Sequence, residues 1–214
     1  MAGLVFGAAG LLSLVFWLRF CVHGPSWPKS VIKTAAVALL AVAAGIAGGP
    51  IWLVAALALG AVGDFCLSRY GESWFLAGVA AFALAHLAYV VLFQDVIGHD
   101  VALIFTGWRA LVALILICFA ATMAWFLWPR TGALRWPVMI YLCIIIAMGF
   151  AALALPLVGL AMFAALLFIV SDAVLATELF LIPQGHGAQK RTPYAVWLTY
   201  WGAQALFCWV FALA

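Results

Sequence analysis

Apolar residues run along this chain in eight blocks, each about as long as a helix needs to cross a bilayer. Cut at clusters of charge, Pro and Gly, the blocks cover residues 2–19, 31–48, 51–68, 74–94, 101–128, 134–153, 156–181 and 194–213. The alternating, turn-punctuated pattern of an outer-membrane barrel is absent. The chain is therefore predicted to be all-α, a polytopic membrane bundle of eight transmembrane helices forming one domain, 1–214. The tightest break is Gly48-Gly49-Pro50. A helix running through it would reverse the topology of everything that follows.

Composition agrees with this pattern. The chain of 214 residues is 71% hydrophobic and 7% charged, whereas a soluble domain is about 45–50% apolar and about 25% charged. The few charges are placed unevenly. Arg19, Lys29 and Lys33 fall in or beside the first connection, Arg69 in the third, Arg130 and Arg135 in the fifth, Lys190 and Arg191 in the seventh. Only Arg109 lies on the other side, with Asp95, His99 and Asp100. The positive-inside rule makes the basic side cytoplasmic and both termini external, as in a bacterial inner membrane. Trp52, Trp74, Trp128, Trp136 and Trp197 lie near span ends, where interfacial belts form. No basic stripe with interleaved aromatics points to nucleic acid. The N-terminal run lacks the basic flank of a cleavable signal and reads as a first span.

Two carboxylates stand out against this background. Asp64 lies in Leu59-Gly60-Ala61-Val62-Gly63-Asp64-Phe65-Cys66-Leu67, and Asp172 in Val170-Ser171-Asp172-Ala173-Val174-Leu175. An ionised Asp at the centre of a spanning helix costs at least about 2.5 kcal/mol, so such residues mark function or buried pairing. Both spans run from the outside inward, which puts the two at similar depth, toward the cytoplasmic ends. Gly60, Ala61 and Ala176 are small neighbours that let helices approach. The shared Val-small-Asp-x-x-Leu pattern hints at a four-plus-four internal duplication.

Other polar residues sit on helical faces. His86 and Tyr89 are three apart on the fourth span; Trp197, Tyr200 and Gln204 share a face of the eighth, and a Gln in hydrocarbon needs a partner. Lys33 opens the second span, where a snorkelling interfacial anchor is the ordinary reading. Arg109 beside Trp108 reads as an outer anchor, and Glu178, Arg19, Arg69, Lys190 and Arg191 as solvated or headgroup-facing charges. Cys21, Cys66, Cys118, Cys143 and Cys208 are scattered, without a CxxC pair, and read as small buried hydrophobes. His23, His99 and His186 have no zinc spacing, and no phosphate-binding glycine loop or nucleophile elbow is present. The reading calls for no metal and no cofactor.

These residues resemble a known family, the lysoplasmalogenase-like TMEM86/YhhN membrane proteins. The resemblance rests on Gly63-Asp64 with Leu67, Phe82-x-Leu-Ala-His86-Leu-x-Tyr89, Pro137-x-x-x-Tyr141 with Met148, Phe168-x-x-Ser171-Asp172-x-x-Leu175, and Tyr200-x-x-Ala203-Gln204. Where the family has Lys-Pro at the start of the second span, this chain has Lys33-Thr34. The resemblance implies an eight-helix hydrolase that cleaves the vinyl ether of a lysophospholipid substrate, lysoplasmalogen, into a fatty aldehyde and a glycerophospho-ethanolamine or -choline. Two Asp at equal depth in a low dielectric do not both ionise readily, so Asp64 and Asp172 are expected to share one proton and form an acid/base pair, with neither role assigned by the sequence. Tyr141, His86, Tyr89, Tyr200 and Gln204 would position that pair and the substrate, and Lys33 would meet the lipid phosphate. Vinyl ether hydrolysis needs a proton donor and a stabilising anion, the logic of a glycosidase's two carboxylates.

Two readings of another class stand beside it. A proton-coupled transporter also uses embedded Asp and His, although its broken helices are not evident here. An intramembrane aspartyl protease uses two Asp, but its Gly-x-Gly-Asp is replaced by Ala61-Val62-Gly63-Asp64. A purely structural Asp pair, gluing helices, is the plain alternative.

Overall fold

Eight α-helices build the computed structural model, which describes residues 1–96, 98–156 and 159–214. They are α1 (Ala2–Arg19), α2 (Trp27–Ile46), α3 (Ile51–Leu67), α4 (Glu72–Gln94), α5 (Gly107–Leu127), α6 (Arg135–Leu153), α7 (Gly159–Phe180) and α8 (Thr192–Cys208), the last ending in a wider turn over Trp209–Leu213. Seven are long and apolar enough to cross a membrane. The eighth, α3, has 17 residues, about the shortest length that spans the hydrocarbon.

The boundaries follow local chemistry. The second helix starts four residues before the expected 31, because the Ser26 hydroxyl accepts the Lys29 N–H and Pro28 occupies the first turn. Gly48-Gly49-Pro50 does separate two helices: Gly48 takes φ 73° and α3 begins at Ile51. The fifth span is not the unbroken helix expected over 101–128. Val101–Phe105 forms a tight 3-10 turn, Thr106 is extended, and Gly107 at φ 50° opens α5. Periodicity alone cannot reveal that break, because both sides of it are apolar. In the expected seventh span, 156–181, residues 157 and 158 lie outside the described residues, and α7 runs from Gly159.

Neighbouring helices pack in sequence from α1 to α4, α6 lies against α4 and α7, and α7 lies against α8. The last helix is central, touching α1, α2, α3 and α7, and Phe207 packs on Tyr89 and Phe93 of α4. The fifth helix is the outer one, packed mainly on α6, with Ala113, Leu116 and Leu127 its buried residues.

Several polar ties hold these helices, and three revise the sequence reading. Arg69 is not a free surface charge: its guanidinium donates to the Ser30 hydroxyl and the Ser26 carbonyl and stacks 4.1 Å from Trp27. Trp197 is no belt residue; it is 3% exposed, and its indole N–H reaches the Ser13 hydroxyl of α1 at 3.0 Å. Cys118 and Cys143 are exposed on the bundle's outer surface, while Cys21, Cys66 and Cys208 are buried. Burial pushes the Cys21 thiol, in the first connection, up to about 11 against the opposing pull of Lys29 and Lys33. At physiological pH it is therefore a small protonated side chain.

At the other end of the bundle, Arg109 is more than an anchor. Its guanidinium donates to the carbonyls of Leu153 and Leu155, both at 2.7 Å, and of Pro156 at 3.2 Å. These oxygens lie at and just beyond the end of α6, where a cation complements the helix dipole. Arg109→Ala should cost about 1.5–3 kcal/mol of stability, the range for hydrogen bonds to a charged group. Thermal unfolding in detergent micelles measures it, and a variant as stable as the parent would show the clamp to be dispensable.

Candidate active site

The Asp64 carboxylate is 1% exposed, on the face of α3 that meets α2, α4 and α8. Small residues make that approach feasible. A Cβ on Gly60 would lie 2.5 Å from the Gln204 amide nitrogen, and one on Gly63 would lie 2.6 Å from the Phe82 ring. Both of the carboxylate's oxygens have partners. Lys33 Nζ stands 2.9 Å from Oδ1, and the Tyr200 hydroxyl donates to Oδ2 at 2.8 Å. The snorkelling anchor expected at Lys33 thus turns its ammonium inward, because a buried anion attracts it more strongly than the interface does. Behind Tyr200 the chain continues: Tyr89 donates to the Gln204 carbonyl oxygen, and the Gln204 amide donates to the Tyr200 oxygen at 3.4 Å.

Asp172 is held differently. The Tyr141 hydroxyl of α6 donates to its Oδ2, and His86 Nε2 of α4 stands 3.9 Å from the same oxygen. His86 Nδ1 is 2.6 Å from the Phe82 carbonyl oxygen. A carbonyl only accepts, so Nδ1 carries the proton, and in a neutral ring Nε2 presents a lone pair. Nε2 is buried and has no hydrogen-bond partner among the described residues. The Asp172 carboxyl it faces is 17% exposed.

The two sites echo each other. Each carboxylate receives a donor from 31 positions upstream, Lys33 for Asp64 and Tyr141 for Asp172, and each faces a second group from the opposite half, Tyr200 of α8 or His86 of α4. The Phe82 and Phe168 rings connect the halves, packing 5.5 and 5.3 Å from Tyr200, with Phe168 4.5 Å from His86.

Both carboxylates line one cleft with room for about 110 Å³. Its polar groups are Lys33, Asp64, Tyr141, Ser171, Asp172 and Tyr200, and the rest of its wall is apolar, from α3 through α8. Apart from Ile145 and Ile169, which lie just past the midpoints of α6 and α7, the wall residues lie no farther than mid-helix from the ends of the bundle that carry Arg69, Arg130, Arg135 and Lys190. The cleft brings together five of the eight residues singled out in the sequence: Lys33, Asp64, Tyr141, Asp172 and Tyr200. His86 lies one contact behind it, against Asp172. Tyr89 and Gln204 are fully buried and reach it only through Tyr200. Ser171 in the wall was not anticipated; its hydroxyl donates to the Val196 carbonyl and ties α7 to α8.

Comparison with known proteins adds an independent observation. The YhhN family model matches residues 28–211. A Bos taurus protein named lysoplasmalogenase TMEM86A is 30% identical over 94% of this chain and 84% of its own length. The Mus musculus lysoplasmalogenase TMEM86B is 33% identical over 87% of this chain and 79% of its own length. A Mycobacterium tuberculosis lysoplasmalogenase is 31% identical over 80% and 66% respectively. No solved structure matches the chain.

The ion pair predicts a double-mutant pattern. Lys33→Met should destabilise the protein by about 3–5 kcal/mol, because it leaves a buried carboxylate unpaired. Lys33→Met combined with Asp64→Asn should recover much of that loss, since the amide keeps a carbonyl for Tyr200 and carries no charge. Thermal denaturation of the three variants measures the coupling, and additive losses would contradict it.

Proposed function

We propose that this chain, which belongs to the YhhN family, is an integral membrane hydrolase that cleaves the vinyl ether bond of lysoplasmalogen, with Asp172 as general acid and Asp64 as the anion. The observation that carries the reading is the unequal equipment of two carboxylates in one apolar cleft. Asp64 has an ammonium and a phenolic hydroxyl, donors that complement a carboxylate anion. Asp172 has one phenolic donor and faces the His86 lone pair, which complements a carboxylic acid whose proton points at Nε2. The names of relatives sharing 30–33% identity over most of the chain support the reaction class.

The roles then follow in order. The alkenyl carbon remote from the ether oxygen takes the Asp172 proton, and the electrons of the double bond form the new C–H bond. Positive charge is left shared between the other alkenyl carbon and the ether oxygen, where Asp64 stabilises it. Water bonds to that carbon and releases a proton to Asp64, giving a hemiacetal. Its bond to the glycerol oxygen breaks as that oxygen takes the proton from Asp64, and the hemiacetal hydroxyl returns its proton to Asp172. The products are a fatty aldehyde and the glycerophospho-alcohol, and both carboxyls regain their starting states. An aromatic, largely apolar wall strengthens each of these charge contacts.

Lys33 has further N–H donors beyond the one on Asp64 and is 20% exposed, so it is placed to meet the lipid phosphate as well. Tyr200, Gln204 and Tyr89 fix the anion's orientation, and Tyr141 and His86 that of the acid. The clustering of the site at the basic end supports a site in the cytoplasmic leaflet, with both termini outside.

Purified protein incubated with lysoplasmalogen should release aldehyde, and its saturated alkyl-ether analogue should remain intact. Conversion of neither would overturn the proposal and turn attention to transport. Asp172→Asn and Asp64→Asn should each lower kcat by about 10²–10⁴, the range for a positioned acid or base, in protein that elutes normally on gel filtration. A fully active Asn variant would remove that residue from the mechanism.

A further inference from the structure

The cleft has a shape that bears on how a lipid tail is held. Helices α5, α6 and α7 meet at one point: a Cβ on Gly149 of α6 would lie 3.0 Å from Ile169 of α7 and 3.2 Å from Leu116 of α5. Toward the basic end the cleft takes its walls from both α5 and α7. Packing along α7 changes accordingly. Seven residues between Ala161 and Ser171 are buried, whereas none from Asp172 to Phe180 is. Leu179 lines the cleft and is also 50% exposed at the bundle's outer surface. Opposite it, Phe119 and Met123 of α5 line the cleft and are partly exposed. The cleft is thus continuous from the two carboxylates to the hydrocarbon-facing side of the bundle.

Depth makes this opening necessary. Beyond the carboxylates, the last α6 residue in the wall is Ile145, one turn past Tyr141, or about 6 Å. A lipid tail reaches across half of the hydrocarbon core, about 15 Å. A tail that starts at the carboxylates, with its headgroup at the basic surface, is too long for the closed end formed at Leu116, Gly149 and Ile169.

We propose that the gap between α5 and α7 is a lateral portal, through which the tail of a single-chain lipid leaves the cleft and lies in the bilayer while its first carbons stand between the carboxylates. The inference rests on the hydrolase reading. The Phe75–Phe180 contact between α4 and α7, with ring centroids 6.4 Å apart, bars the neighbouring gap. The enzyme therefore grips only the start of the tail, and tail length beyond a few carbons is left unread.

Met123→Trp and Leu179→Trp narrow the portal at a distance from either carboxylate. Two substrates separate the outcomes: long-chain lysoplasmalogen in vesicles, and an analogue with a four-carbon alkenyl group that does not reach the portal. The variants should lower kcat/KM for the long chain at least 10-fold more than for the short one. Equal loss on both substrates, or no loss on either, would overturn the portal. Failure of the parent protein to convert either would instead overturn the hydrolase reading. A lysophospholipid with a photoactivatable diazirine at its tail end provides a readout independent of turnover. It should label the outward faces of α5 and α7 or surrounding lipid, and labelling of Leu116 or Ile169 would place the tail inside the bundle and contradict the portal.

Discussion

A charged carboxylate in hydrocarbon is tolerated only when something nearby compensates for its lost hydration, and the arrangement of this bundle follows from that constraint. Asp64 is almost wholly removed from solvent, so its ammonium partner must come from within the protein. Lys33 supplies it from one side and the Tyr200 hydroxyl from the other. Those two contacts fix α2 and α8 against α3, and Gly60 exists as glycine because the Gln204 side chain that supports Tyr200 occupies the space a methyl group would need. The central position of the last helix is in this sense a consequence of one buried anion.

Asp172 is placed by the same topology but with different chemistry. At the position 31 residues upstream a phenol stands where Asp64 has an ammonium, and the second neighbour is an imidazole nitrogen instead of a phenol. In the proposed reading one site complements an anion and the other an acid. In the proposed mechanism no proton is shared directly between the two carboxyls, because the glycosidase-like acid and anion roles fall to groups that reach the substrate separately. The aromatic rings of Phe82 and Phe168 keep the two sites in a common, weakly polar environment, in which small differences in hydrogen bonding have large effects.

Much of this was legible in the residues themselves. The helices and the two carboxylates could be read because bilayer length and the cost of an embedded charge leave plain marks in an apolar sequence. The Tyr200 and Gln204 face could be read because helical spacing puts both on one side. Lys33 was legible as a charge but not as a partner, since an interfacial lysine snorkels in most proteins and its turn inward depends on tertiary packing. The same holds for Arg69, Arg109 and Trp197, whose partners are serine hydroxyls and helix-end carbonyls that no periodicity records. The break at Thr106 was hidden because both flanks are apolar. The close approach of α5, α6 and α7 at Gly149 closes the far end of the cleft, and a glycine in a membrane helix carries no such message alone.

The central claim is that the two carboxyls rest in different protonation states, Asp172 as the acid and Asp64 as the anion. Infrared spectroscopy of the protein at neutral pH reads this without substrate, through the C=O stretching band of a protonated carboxyl. The account predicts such a band in the parent, its loss in Asp172→Asn and its persistence in Asp64→Asn. A band that vanishes with Asp64→Asn and survives Asp172→Asn would contradict it.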